Sequence, residues 1–348
     1  MNYALNPFIV IWEVTQACDL ACVHCRAEAQ ALRNAGELNT DEGLGLIDQI
    51  SAMDNPLLVL TGGDPLKRPD LDTLVAHAVR RGLRISVTPS GTALLDSQAV
   101  HRFKTLGIAR LALSLDGPDK LIHDRFRGVK GSFDWTLEAC RAGRSEGLEL
   151  QINTTISRHN LHLVEDMAPV IARLGAVLWS VFFLVPVGRA GIDQALTAGE
   201  FETVFAQLHR IAGKRLFDVK TTEAPHFRRY VAQHMPLGPA PSGSLARMRT
   251  GIGDGRGFVF VSHLGEVYPS GFLPLSGGNV RRRGLAEIYR TSKLFTDLRN
   301  PDMFHGKCGN CEFRHACGGS RARAYAATGD YLGSDPACSY NPKVAISI

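Results

Sequence analysis

Cys18, Cys22 and Cys25 are separated by three and then two intervening residues, directly after an apolar run that ends in Glu13-Val14-Thr15. Thiolates are soft ligands that favour iron–sulfur clusters, zinc or copper(I). A cubane [4Fe–4S] cluster has four corners, so three sulfurs leave one iron open to a substrate or cofactor. Catalytic zinc also takes three protein ligands and is the competing reading. Structural zinc more often shows two tight Cys-x-x-Cys pairs, whereas this motif is a triplet. Three unlinked cysteines in a loop is the bland alternative, and free cysteines seldom cluster without a redox or metal role. A second group follows near the C-terminus: Cys308, Cys311, Cys317 and, further on, Cys338. Four thiols in a short Gly-rich segment are a metal signal that zinc and [4Fe–4S] satisfy equally. Cys140, in a helical stretch, reads as a small packed side chain.

The frame for these thiols is a series of strand–helix alternations. Residues 8–15 are apolar and β-branched and read as a buried strand. Helical spacing marks about 40–53, 70–81, 93–106, 119–126, 132–146 and 162–174. Short apolar runs at 57–60, 83–88, 109–115, 149–156 and 177–185 read as strands. Six such alternations predict a parallel sheet with helices packed outside it and strands buried on both faces. The residues suited to chemistry follow strands: the cysteines, Gly62 to Pro65, Ser90, and Ser114 to Asp116. In parallel α/β folds that end carries the active site. From about 187 the pattern changes to a helix at 199–213, a short strand near 216–221 and a helix near 224–233. Residues 235–257, rich in Pro, Gly and Ser with Arg247, Arg249 and Arg256, read equally as a linker or a substrate-contacting loop. A hairpin at 258–268 and a helix at 284–298 precede the second cysteine group.

At 348 residues, 45% hydrophobic and 21% charged, the composition is that of an ordinary globular chain with one large and one smaller domain. No run approaches the roughly 20 apolar residues of a membrane helix. The N-terminus shows no signal peptide, so eight cysteines imply a reducing, cytoplasmic setting and metal binding rather than disulfides. A net charge of +5, spread along the chain, permits an acidic substrate and does not indicate nucleic acid.

The cysteine triplet, with Trp12-Glu13-Val14-Thr15 before it and His24 inside it, resembles the signature of the radical S-adenosylmethionine (SAM) superfamily. In that superfamily SAM chelates the open iron, and an electron from the cluster releases a 5′-deoxyadenosyl radical. The resemblance implies an α/β fold: a partial (β/α)6 TIM-like barrel. It also implies that Gly62, Gly63, Asp64 and Pro65 receive the SAM ammonium. Ser114 and Asp116 would bind ribose or the amino acid group, and Arg127 would pair with the SAM carboxylate. Glu is usual where Asp64 stands, so the carboxylate here is one methylene shorter. His24 reads as packing or local hydrogen bonding. The C-terminal spacing, including Cys317-Gly318-Gly319, resembles the SPASM region, a smaller α+β iron–sulfur domain of the SPASM or twitch type. Ser270 and Arg321 stand where two further cysteines are usual, which implies one auxiliary [4Fe–4S] cluster held by Cys308, Cys311, Cys317 and Cys338.

The expected organisation is a barrel at 1–190, bridging helices and a loop at 191–256, and the auxiliary domain at 257–348. The Cys-Gly-Gly-Ser-Arg-Ala-Arg-Ala-Tyr segment is most similar to radical SAM enzymes that trim haem and haem d1 precursors. The expected activity is therefore SAM cleavage and hydrogen abstraction from a tetrapyrrole whose carboxylate side chains are altered. Arg321, Arg323 and the run Arg281-Arg282-Arg283 are candidates to meet those carboxylates. A maturase acting on a ribosomal peptide and a non-catalytic zinc-binding interaction protein are the alternatives. The resemblance implies a reducing partner such as ferredoxin or flavodoxin, with no nucleic acid or membrane partner.

Overall fold

The computed structural model describes residues 2–234 and 251–342. Arg247 and Arg249 of the Pro/Gly/Ser-rich stretch lie outside the described residues. Seven parallel strands run in chain order through one sheet: β1 (Ile9–Glu13), β2 (Leu57–Thr61), β3 (Ile85–Val87), β4 (Arg110–Ser114), β5 (Glu149–Ile156), β6 (Leu178–Phe183) and β7 (Asp218–Thr222). Helices α1 (Thr40–Ser51), α2 (Leu71–Arg80), α3 (Ser97–Leu106), α4 (Lys120–Arg127), α5 (Ser132–Ser145), α6 (Val164–Leu174), α7 (Ala198–Gly213) and α8 (Phe227–His234) connect or flank them. This is the partial TIM-like (β/α) barrel, with a seventh parallel strand added beside β6.

The strands alternate as a half-buried pleat must. In β5, Leu150, Ile152, Thr154 and Ile156 are buried, while Gln151, Asn153 and Thr155 stay partly open on the concave side. The expectation that strands are buried on both faces therefore fails for the later strands. Their inner face lines a lumen instead of a filled core. The outer face and the helices form one continuous apolar cluster around Trp12, Phe103, Trp179, Phe201 and Phe205. Each large side chain so buried contributes on the order of 2–3 kcal/mol.

Helix starts are capped as their sequences dictate. Asn39 caps α1 through a reciprocal capping box with Glu42, and Thr197 does the same for α7 with Glu200. Asp96 and Asp119 cap α3 and α4.

After the barrel, β8 (Phe258–Val261) returns and pairs in parallel with β1. It then turns into the antiparallel β9 (Glu266–Tyr268), followed by β10 (Gly278–Asn279). The hairpin is thus an extension of the barrel sheet. The single helix expected at 284–298 is two, α9 (Leu285–Thr291) and α10 (Lys293–Arg299), separated by Ser292, whose backbone is extended (φ −62°, ψ 130°). Short α11 (Gly306–Gly309) and α12 (Arg321–Thr328) complete the C-terminal α+β region.

Candidate functional site

The Cys18–Cys25 loop leaves the C-terminal end of β1 and is gripped by its neighbours' backbones. Cys18 N–H donates to Gln30 O (2.7 Å), and Ala21 and Val23 N–H donate to Arg127 and Phe126 O at the end of α4 (3.2 Å each). From the far side Arg189 N–H donates to Cys25 O (3.0 Å). Beneath the loop, Gly63 and Asp64 N–H donate to Thr15 and Ala17 O (2.8 and 2.6 Å). Here the glycines show their purpose. A Cβ on Gly62 would sit 2.4 Å from Thr15 O, and one on Gly63 would sit 2.4 Å from Ala17 O. The space a side chain would fill is taken by the backbone of Thr15 to Ala17, which leads into the cysteine loop, so the Gly-Gly pair seats that loop.

Cys18 and Cys22 are buried and share a small apolar cluster with Leu20, against which Cys25 packs. Burial pushes both thiols up; a contact to Ser90 Oγ (3.3 Å) moderates the rise at Cys18, and Arg127 moderates it at Cys22. Arg127 is the cation of the site. Its Nη1 donates to Asp116 Oδ2 (3.3 Å) and its Nη2 to Ser90 O (3.1 Å), while its buried Nε has no partner among the described residues. Burial alone would lower its guanidinium, but Cys22, Asp116 and the other two thiols outweigh that and raise it. A locked cation facing three thiols and one carboxylate, with a donor unspent, suits a loop that holds an anionic cluster and a carboxylate-bearing ligand. The residues present therefore fit the expected group.

Asp64 is turned away from this space. Its carboxylate accepts from Thr92 Oγ1 (2.8 Å), Leu66 N (3.2 Å) and Ser90 N (3.4 Å). Burial raises it, and the Thr92 bond acts against that. It thus orders the turn through Pro65 and ties it to Ser90. Asp116 accepts from Thr155 N (2.7 Å) as well as Arg127, and burial raises it despite the guanidinium. Ser114 ends β4, half-buried, in register with Asn153. His24 packs on Phe126 with centroids 4.4 Å apart; burial, then Arg127, hold its imidazole well below the ordinary value.

Three supporting groups escaped the sequence reading. His123 Nδ1 accepts from Asp116 N (3.1 Å), and burial lowers its pKa to about 3, so it is a neutral acceptor. Asn160 ties Asp116 O to Thr155 O (3.0 and 2.9 Å). Glu13 binds Arg26 (2.6 Å) and His263 (2.7 Å), joining the cysteine loop to the β8–β9 turn. Burial alone would raise Glu13, but Arg26 and His263 win and lower it. Only Glu13 had a sequence signal, a charge at the end of an apolar strand.

The four C-terminal cysteines line one cavity together with His226, Arg229 and Asp335. Burial pushes Cys317 up to about 12 and also raises Cys311 and Cys338. Among the described residues no group of three or more His, Cys, Asp or Glu closes around a single metal ion.

Of the arginines offered as substrate cations, four are committed elsewhere, and Arg282 is exposed with no side-chain partner among the described residues. Arg321 donates to Gly333 O (2.6 Å) and Tyr331 O (3.2 Å), and Arg323 pairs with Asp335 (3.1 Å). Arg281 pairs with Glu42 (2.6 Å), which it helps lower to about 2, and Arg283 with Glu287 (3.0 Å). Sequence shows a charge but not its counter-charge. Ser270 is buried and donates to Glu223 Oε1 (3.0 Å).

A partial (β/α) barrel whose first strand delivers a cysteine triplet beside a buried Arg–Asp pair defines the class of radical SAM folds. The Radical SAM superfamily model matches residues 12–168. "AdoMet-dependent heme synthase" of Nitratidesulfovibrio vulgaris is 42% identical over 342 residues, 96% of this chain and 93% of that protein. The protein of the same description from Methanosarcina barkeri is 38% identical and covers 97% of each chain. Among solved structures, Streptococcus suis SuiB bound to S-adenosylmethionine superposes with a TM-score of 0.76 at 16% identity, over 97% of this chain and 78% of that one. The chain belongs to the radical SAM superfamily and carries a SPASM-type C-terminal domain. It is a catalyst of that class, acting through SAM cleavage and hydrogen abstraction, with SAM and an iron–sulfur cluster as cofactors.

Proposed function

We propose that this enzyme alters the carboxylate side chains of a haem-type tetrapyrrole. The observation that carries the reading is the near end-to-end likeness to proteins described as AdoMet-dependent heme synthases. In this reading Cys18, Cys22 and Cys25 hold the SAM-binding [4Fe–4S] cluster, and Cys308, Cys311, Cys317 and Cys338 hold one auxiliary cluster. The clusters and SAM supply the radical chemistry, and the chain supplies position and a dry surrounding. Gly62, Gly63, Asp64, Pro65, Ser114, Asp116 and Arg127 form the SAM cradle. Asp64 and the two glycines act through the loop they seat, and Arg127 acts by direct charge. In this reading the chain divides by role at 190 and 256, although the hairpin of the last segment shares the barrel sheet. In this reading a low-potential donor such as ferredoxin or flavodoxin supplies the electron, and the enzyme works in a reducing cytoplasm, where free thiols persist.

Lys220 replaces the arginines as the cation for a substrate carboxylate. It stands on the inner face of β7, in the register row Ser114–Asn153–Ser180–Lys220. It is solvent-exposed, as a group lining an open lumen is, and makes no ion pair among the described residues. A substrate carboxylate would supply the missing counter-charge.

The test is anaerobic turnover with SAM, a chemical reductant and iron coproporphyrin, a porphyrin with propionate arms. Formation of 5′-deoxyadenosine coupled to a change in porphyrin mass supports the proposal. Uncoupled cleavage with an unchanged porphyrin refutes it and returns the question to a peptide substrate.

A further inference from the structure

We propose that Arg321 sets the reduction potential of the C-terminal iron–sulfur cluster by donating a guanidinium N–H to the Cys308 sulfur. The inference rests on the reading that the four C-terminal thiols ligate a cluster. Arg321 occupies the position where related chains carry a further cysteine, so a cation stands here in place of a ligand.

The guanidinium is locked. Nη1 donates to Gly333 O (2.6 Å) and Tyr331 O (3.2 Å), and Nε donates to Gly319 O (3.3 Å). Its plane lies over the Phe304 ring, 4.7 Å from the centroid, and the residue is 3% exposed. The remaining nitrogen, Nη2, points at Cys308 Sγ at 3.4 Å. The backbone makes room for this contact. Gly319 has a left-handed backbone (φ +68°), and a Cβ there would lie 2.5 Å from Arg321 Nη2 and 2.9 Å from Cys308 Sγ. Asp335 N–H adds a second donor to the same sulfur (3.4 Å), and Gly319 N–H donates to Cys317 Sγ (3.4 Å).

The neighbouring arginine shows the contrast. Arg323 pairs with Asp335 at 3.1 Å, whereas the Arg321 guanidinium forms no salt bridge among the described residues and donates only to carbonyls and a thiol. The Asp254 carboxyl also feels the Arg321 charge and accepts from its backbone N–H, but only the sulfur is met by the free guanidinium nitrogen. Donors to a cluster sulfur stabilise the reduced, more negative form and raise the potential. A charged donor does this more strongly than a neutral one, and burial limits screening. A cluster that is easier to reduce is better suited to take an electron from a substrate radical than to feed SAM cleavage.

The test uses the full-length chain with Cys18, Cys22 and Cys25 changed to Ala, so that only the C-terminal cluster assembles. Its midpoint potential is followed by EPR during an anaerobic redox titration. Arg321→Met lowers the potential by at least the roughly 59 mV that a tenfold shift in a one-electron equilibrium represents. Arg321→Lys, which keeps the charge, shifts it less. Because a buried arginine also supports the fold, a second measurement uses the unmutated side chain. Reduced protein grown with 15N-guanidinium arginine shows a nitrogen coupling to the cluster by ENDOR, and Arg321→Lys removes it. An intact cluster with unshifted potential, or no nitrogen coupling in the labelled protein, overturns the inference alone. If no cluster assembles at all, the ligand assignment beneath it falls too.

Discussion

Glu223 and Ser270 meet across the open side of the barrel: Ser270 Oγ donates to Glu223 Oε1 at 3.0 Å. Glu223 directly follows β7, one edge of the sheet, and Ser270 follows β9 near the other. The second carboxylate oxygen accepts from Ser320 Oγ (2.6 Å), at the start of α12. Glu223 is a non-glycine residue in the left-handed region (φ 57°), a conformation that persists only where surrounding contacts hold it. Ser270, where the resemblance leads one to expect a cysteine, is thus part of a hydrogen-bonded clasp. Ser270→Ala should cost about 1–3 kcal/mol, because a buried acceptor loses its partner. Anaerobic thermal unfolding checks this, and an unchanged midpoint would mean that the clasp carries no stability.

The glycine pair gives a second test, one that separates seating the loop from admitting a ligand. Gly63→Ala drives a methyl against Ala17 O at 2.4 Å and Gln16 O at 2.6 Å. The cysteine loop must move, so the variant should lose the N-terminal cluster while keeping the C-terminal one. Iron content near half that of the wild type is the expected result. Full iron content with weakened SAM binding alone would favour the ligand role.

Much of this was legible in the sequence, and the failures have a common cause. Most barrel strands were legible as short apolar runs between helical periods, as in Leu57–Thr61, and β5 as an alternating one. The cysteine groups stood out because metal chemistry fixes residue type and spacing, and the fold lines one cavity with Cys308, Cys311, Cys317 and Cys338. Pairing of β8 with β1 was not legible: Ile9 meets Phe258 through a contact with no local signature. Arg321 and Arg323 were misread for the same reason, since the groups that occupy them, Gly333 and Asp335, are fixed only by the fold. Ser292 offered no Pro or Gly to announce the break between α9 and α10.

Lys220 carries the prediction for substrate binding. Lys220→Met should weaken the binding of iron coproporphyrin several-fold or more, given about 1.5–3 kcal/mol for a hydrogen bond to a charged group, while Lys220→Arg largely preserves it. Optical titration of the resting enzyme measures both. Wild-type binding that Lys220→Met leaves unaltered would move the carboxylate contact elsewhere. No binding by the wild type would instead count against a tetrapyrrole substrate.

A pH dependence follows from Asp254. Burial, and then the nearby Glu223 carboxylate, raise its pKa well above the usual value. A carboxyl raised in the folded state contributes stability that is present below its unfolded value, about 3.9. That contribution is lost as pH rises through the folded value. Asp254→Asn mimics the protonated form and can still accept from Ala322 N, now 3.2 Å away. The variant should therefore gain more in melting temperature over wild type at pH 8 than at pH 5. Equal differences at the two values would show that Asp254 does not titrate in this way.

The central claim is that the N-terminal thiols hold an iron left open for SAM, and Cys22→Ala tests it most directly. After anaerobic reconstitution, iron should fall from about eight to about four per chain, the remainder being the C-terminal cluster. With dithionite and SAM, 5′-deoxyadenosine should not rise above the level without enzyme. Cleavage that persists in Cys22→Ala would contradict the account.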